Sequence, residues 1–161
     1  MTRHESPRFR VSIAAIAGTI AVFLYAALAA VQILVLNPLA FAPGKTLGQV
    51  HADLAQAGEA IGAPFVLAIL GLGPALAVLL MLLLSRQPAV GIRAIGIGYA
   101  VLLAFGAPAY FIASFGPGMA LADTYLTSGA DHLGWSFVLY AVSAVTAESL
   151  QNSGATDIRQ M

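Results

Sequence analysis

Six side chains in two stretches of this chain could do metal chemistry: His51, Asp53 and Glu59 in one, Asp123, Asp131 and His132 in the other. Two imidazoles and four carboxylates make a ligand set suited to zinc or another divalent cation, provided the two stretches pack side by side. The spacing does not enforce that meeting. On a helix His51 and Asp53 project about 200° apart and Asp131 and His132 about 100° apart, so neither pair is the i, i+4 chelate of helical metal sites. The expectation is no tightly bound metal and no cofactor, with solvated acidic loops, a capping role for Asp131 and a surface position for His51.

Other chemistry is excluded more firmly. The chain has no cysteine, which removes disulfides, thiolate metal sites and any thiol relay. It carries no Walker-type phosphate loop, no glycine-rich dinucleotide fingerprint, no G-x-S-x-G elbow and no basic tract for nucleic acid. No Asp, Glu, Lys, Arg or His falls in the middle of a long apolar run, which disfavours proton-coupled transport and a membrane haem with histidine ligands. The main polar candidates inside those runs are Thr19, Tyr25, Gln32, Tyr99, Tyr110, Tyr140 and Ser143. Of these Gln32 reads first as a helix-to-helix hydrogen bond or an interfacial residue, and second as a substrate contact.

The elements that must position these groups belong to a membrane. Sixty per cent of residues are hydrophobic, nine per cent are charged and the mean hydropathy is +0.89, whereas soluble domains carry roughly 25% charge. A hydrocarbon core of about 30 Å takes about 20 apolar residues per helical crossing. The runs predict an all-α, single-domain bundle of four transmembrane helices at about 11–36, 64–84, 94–115 and 130–149, with outer loops at 37–63 and 116–132. The fourth run is the shortest; Trp135 suits an interfacial anchor for it, and a re-entrant or surface-lying segment is its rival reading.

Basic residues orient the bundle. Arg3, Arg8, Arg10, Arg86, Arg93 and Arg159 flank one side, and Lys45 alone lies in the other two loops. By the positive-inside rule both termini are cytoplasmic, in a multi-pass protein of the cell membrane. The basic leader, the first run and Ala40-Phe41-Ala42 also imitate a cleaved signal peptide, but Val11 to Leu36 exceeds the 7–15 residues of a secretory h-region, favouring a retained helix.

The pattern Phe-x-Pro-Gly-x-x-Leu occurs at Phe41 and again at Phe115, each time after an apolar run. In the first copy Pro43-Gly44 should end one helix, and Thr46 with Gln49 should open another by a capping box. Leu47, Val50, Leu54, Ala57 and Ile61 then fall on one stripe of an amphipathic helix. In the second, Pro117-Gly118 should break the third span and be followed by a similar segment through Met119, Ala122 and Leu126, with Ser128 and Asp131 as a further start signal. The plan reads as an internal repeat of two helical hairpins.

Within the spans, Ala14, Gly18, Ala26 and Ala30 form a small-residue row, interrupted by Val22, that would admit a neighbouring backbone. Pro74 and Pro108 lie inside spans and should bend them. Two function classes follow. The first is a non-catalytic accessory, scaffold or interaction subunit contacting another membrane protein or copies of itself. The second is a carrier or binder of a lipid or other apolar small molecule at an outward-facing cavity, with a metal-dependent membrane enzyme as a more distant alternative. The lipid bilayer is a partner in each; nucleic acid is a partner in none.

Overall fold

The structure, a computed structural model, describes residues 7–87, 90–129 and 134–158. Every regular element among them is helical: α1 (Pro7–Val31), a π-helical turn (Gln32–Leu36), α2 (Asn37–Phe41), α3 (Leu47–Gln56), α4 (Ala63–Ser85), α5 (Ile92–Ala104), α6 (Gly106–Tyr125) and α7 (Trp135–Ile158). Three stretches are long and apolar enough to cross a membrane: Ser12–Phe41, Ala63–Leu84 and Ile92–Tyr125. The helix α7 carries Glu148, Gln151, Asn152 and Asp157 and is not among these three.

Packing divides the interior into three apolar clusters stacked along the helices. At the end where α4 turns into α5, Ala15, Val22, Ala77, Ile95 and Tyr99 join α1, α4 and α5. The middle cluster sets Ala29 and Ile33 against Val66, Leu70, Tyr110, Ala113 and Leu139. At the far end Phe41, Ala42, Val50, Leu54, Ile61, Ala120 and Leu121 seal α3 onto α6. Large side chains such as Ile16, Leu24, Leu72, Leu79, Phe111 and Phe115 point outward, as expected of helices solvated by lipid tails.

The strap α3 forms where its local signals put it. The Thr46 hydroxyl accepts the Gln49 amide hydrogen and the Gln49 carboxamide oxygen accepts that of Thr46, a complete capping box. The helix closes on Gly58, whose φ of +78° suits only glycine without strain, with Gly58 and Glu59 amides donating to Ala55 and Leu54. Val50, Leu54 and Ile61 are buried from the expected stripe, Leu47 is half-buried and Ala57 is exposed.

The second Phe-x-Pro-Gly copy behaves differently, which corrects the expectation of a break and of a second amphipathic outer helix. Pro117 lies inside an unbroken α6 that runs on to Tyr125. Gly44 is used for its conformation, at φ +85°, whereas Gly118 is helical and used for its size. A Cβ on Gly118 would stand 2.8 Å from the carbonyl oxygen of Gly129, so the returning chain crosses α6 there. Among the described residues the two Pro-Gly segments are therefore built differently.

Candidate functional site

The third apolar stretch is interrupted at a defined chemical fault, between the end of α5 and the start of α6. Proline at 108 has no amide hydrogen and its ring crowds the carbonyl of Ala104, the residue on which α5 ends. Helical bonding resumes on either side, Phe105 donating to Val101 and Ala109 to Phe105. Between them Ser143 of α7 inserts its hydroxyl: it accepts the Ala107 amide hydrogen at 3.0 Å and donates to the Leu103 carbonyl at 2.8 Å. The hydroxyl thus bridges the two backbone groups that an uninterrupted helix would join directly. Because its one hydrogen goes to Leu103, Tyr25 is the donor in its 3.2 Å contact with Ser143, shared with the Leu139 carbonyl at 3.2 Å. The tyrosine ring lies over Gly106, where a Cβ would come within 2.6 Å of it. One serine and one tyrosine so tie α1, α5, α6 and α7 together.

A second polar node joins α1, α4 and α5. The Thr19 hydroxyl stands 2.8 Å from that of Tyr99 and 2.9 Å from the Ala15 carbonyl, and the Tyr99 hydroxyl lies 3.4 Å from the Ala77 carbonyl. Gly18 makes room for the Tyr99 ring, from which a Cβ would be 2.4 Å away. The small-residue row borders the most buried seam of α1 and does not coincide with it. The buried seam of α1 is Ala15, Thr19, Val22 and Ala29, while Ala14, Gly18, Ala26 and Ala30 are half-buried along its flank. Gly18 admits a ring, not a backbone. Pro74 sits within an unbroken α4.

Gln32 stands apart from these nodes. Its side chain is 0% exposed, and neither the carboxamide oxygen nor the nitrogen has a hydrogen-bond partner. It opens the π turn, its backbone carbonyl accepting from the Asn37 amide five residues on.

At the strap end, Asp53 accepts from the Lys45 ammonium and, at 2.7 Å, from the Tyr125 hydroxyl, while the ammonium also lies 5.5 Å from the centre of the Tyr125 ring. The Lys45 hydrogen bond, then that of Tyr125, holds the Asp53 carboxyl below the usual carboxylate range. This is an electrostatic latch between α3 and the end of α6. His51 and Asp123 are exposed and Glu59 half-buried; among the described residues no three His, Asp or Glu side chains gather as metal ligands. Asp131 and His132 lie outside the described residues.

The roles of Ser143, Gly106 and Gly118 were not visible in the sequence: each depends on a partner far along the chain, and only the two prolines hinted at backbone groups needing outside help. Comparison of the chain with protein-family models, with curated proteins and with solved structures gives no match.

Proposed function

We propose that this chain is a non-catalytic accessory or scaffold subunit of the cell membrane, a four-helix bundle in which α7 is the fourth span and both termini are cytoplasmic. At about 1.5 Å per residue the twenty-four residues of α7 reach about 36 Å, enough for a hydrocarbon core of about 30 Å. Its buried stripe, Ser136, Leu139 and Ser143, faces the other helices, so α7 is as integral to the packing as the more apolar three. The excess of arginine beside the first span and between α4 and α5 sets the strap α3 on the outer side.

The observation that carries the reading is the use made of polar side chains at depth. Thr19, Tyr99, Tyr25 and Ser143 each hold one helix to another, and no charged side chain stands among them. Such groups give cohesion and leave little for turnover. The outward face of α3, with His51, Ala52, Ala55 and Gln56 exposed, is then the natural surface to offer a partner.

Purification of the full chain from native membrane in mild detergent, followed by mass spectrometry of proteins and lipids, tests this. A membrane protein recovered in fixed ratio, and lost when Ala52 and Ala55 are both changed to Arg without loss of the bundle, supports the scaffold. A chain that is monomeric and partner-free in every detergent tried contradicts it.

A further inference from the structure

Gln32 is the polar side chain of the interior whose bonding the protein leaves unfinished. Its carboxamide offers two donor hydrogens and two acceptor lone pairs. None is used, although no part of the residue reaches the surface. Ile33, next to it in sequence, belongs to the middle cluster with Ala29, Val66, Leu70, Tyr110, Ala113 and Leu139, which puts Gln32 at an apolar level of the bundle. In such surroundings an unpaired amide is costly and calls for an occupant.

The backbone marks the same place independently. Residues Gln32–Leu36 form a π turn between two α-helical stretches. Turns of this kind carry one residue more than the α-helix, and they recur at sites of function more than at structural joints. Pro38 explains part of it: lacking an amide hydrogen, it leaves the Leu34 carbonyl without its α-helical donor. Proline alone does not require an amide side chain at 32; leucine there would fill the same space without the unmet bonds.

The chemistry of the occupant follows from what the site lacks. The runs 11–36, 64–84 and 94–115 that meet at this level hold no Asp, Glu, Lys, Arg or His, so a charged head would find no counter-ion on them. A ketone, ester or quinone carbonyl could accept from the carboxamide nitrogen but would leave the oxygen unmet. A hydroxyl does both, accepting from Nε2 and donating to Oε1. We propose that Gln32 is a binding site for a neutral hydroxyl group, supplied by a buried water or by the alcohol of a neutral lipid. At 0% exposure the amide has no water-sized space beside it, so its torsions must turn to admit the group. This assignment is independent of the scaffold reading, since a subunit with or without partners can hold such a group.

Gln32-Ile33 is the one Gln-Ile pair in the chain, so pairwise isotopic labelling assigns the Gln32 side-chain amide with no substitution. The full chain is placed in phosphatidylcholine bilayers with and without dioleoylglycerol, and solid-state NMR follows magnetisation transfer to the Gln32 carboxamide protons. Transfer from water in both bilayers identifies the hydroxyl as that of a water. Transfer from the glycerol protons, present only with dioleoylglycerol, identifies it as a lipid alcohol; either result supports the site. Carboxamide protons that exchange magnetisation only with protein protons in both bilayers would overturn it.

Discussion

The Ser143 hydroxyl accepts the amide hydrogen of Ala107 across 3.0 Å, and by donating to Leu103 at 2.8 Å it completes a helical bond that the backbone itself leaves open. Replacing Ser143 with Ala strands a half-buried amide hydrogen and a half-buried carbonyl together. A loss of about 1–3 kcal/mol is expected in unfolding titrations in detergent. Restoring the amide at position 108 with Pro108→Ala lets the helix close its own bonds, so the double variant should lose less than the sum of the two single variants. Strict additivity would mean that serine does not bridge the interruption.

Glycine 18 and glycine 71 make a matched pair for a second prediction. Gly18→Ala drives a methyl to within 2.4 Å of the Tyr99 ring and should destabilise by about 1–3 kcal/mol. Gly71→Ala meets nothing within 4 Å and should be neutral or stabilising by up to about 1 kcal/mol through helix propensity. Equal effects on thermal stability would dissolve the ring slot.

Leu126 ends α6 in the left-handed region, φ +53°, with its side chain 91% exposed and the Thr127 amide donating back to Ala122. Gly58 holds the equivalent position after α3. Leu126→Gly should therefore raise the melting temperature, by an amount corresponding to about 1 kcal/mol or less once the added freedom of the unfolded chain is counted. A lowered melting temperature would show that the exposed leucine is anchored by something outside the chain.

The latch on α3 should respond to acid. The Asp53 carboxyl is held below its ordinary range, so its contribution is present above the unfolded carboxylate range and is lost as pH falls through the folded value. Amide protection factors in Leu47–Gln56, corrected for the intrinsic exchange rate at each pH, should fall on acidification in the wild type and be low at every pH in Asp53→Asn. An acid response that survives Asp53→Asn would assign it to another group.

The strap was legible in the sequence because its determinants are local: Thr46 and Gln49 cap each other three residues apart, and Val50 and Leu54 repeat at helical spacing. The second Pro-Gly pair was not, because the signal is the same while the cause is tertiary. Gly44 serves a turn and Gly118 a close crossing by Gly129, and a dipeptide does not distinguish them. What packs on the small-residue row was not legible for a related reason, since Gly18 admits a tyrosine ring eighty-one residues away and the interrupting Val22 is buried with Thr19 in the seam. The acidic and histidine residues carried no spacing that would bring them together, and the partners Asp53 does take, Lys45 and Tyr125, include one seventy-two residues away.

The proposed topology is a four-span bundle with the strap α3 outside and both ends inside. A cysteine-free chain allows a direct test by single cysteines at the exposed positions Ala52, Gln87 and Gln151, probed with a membrane-impermeant maleimide on intact cells. Labelling at 52 alone, with 87 and 151 reacting only after permeabilisation, is the predicted result. Labelling at 151 together with 52 on intact cells would show that α7 does not cross, and would contradict the account.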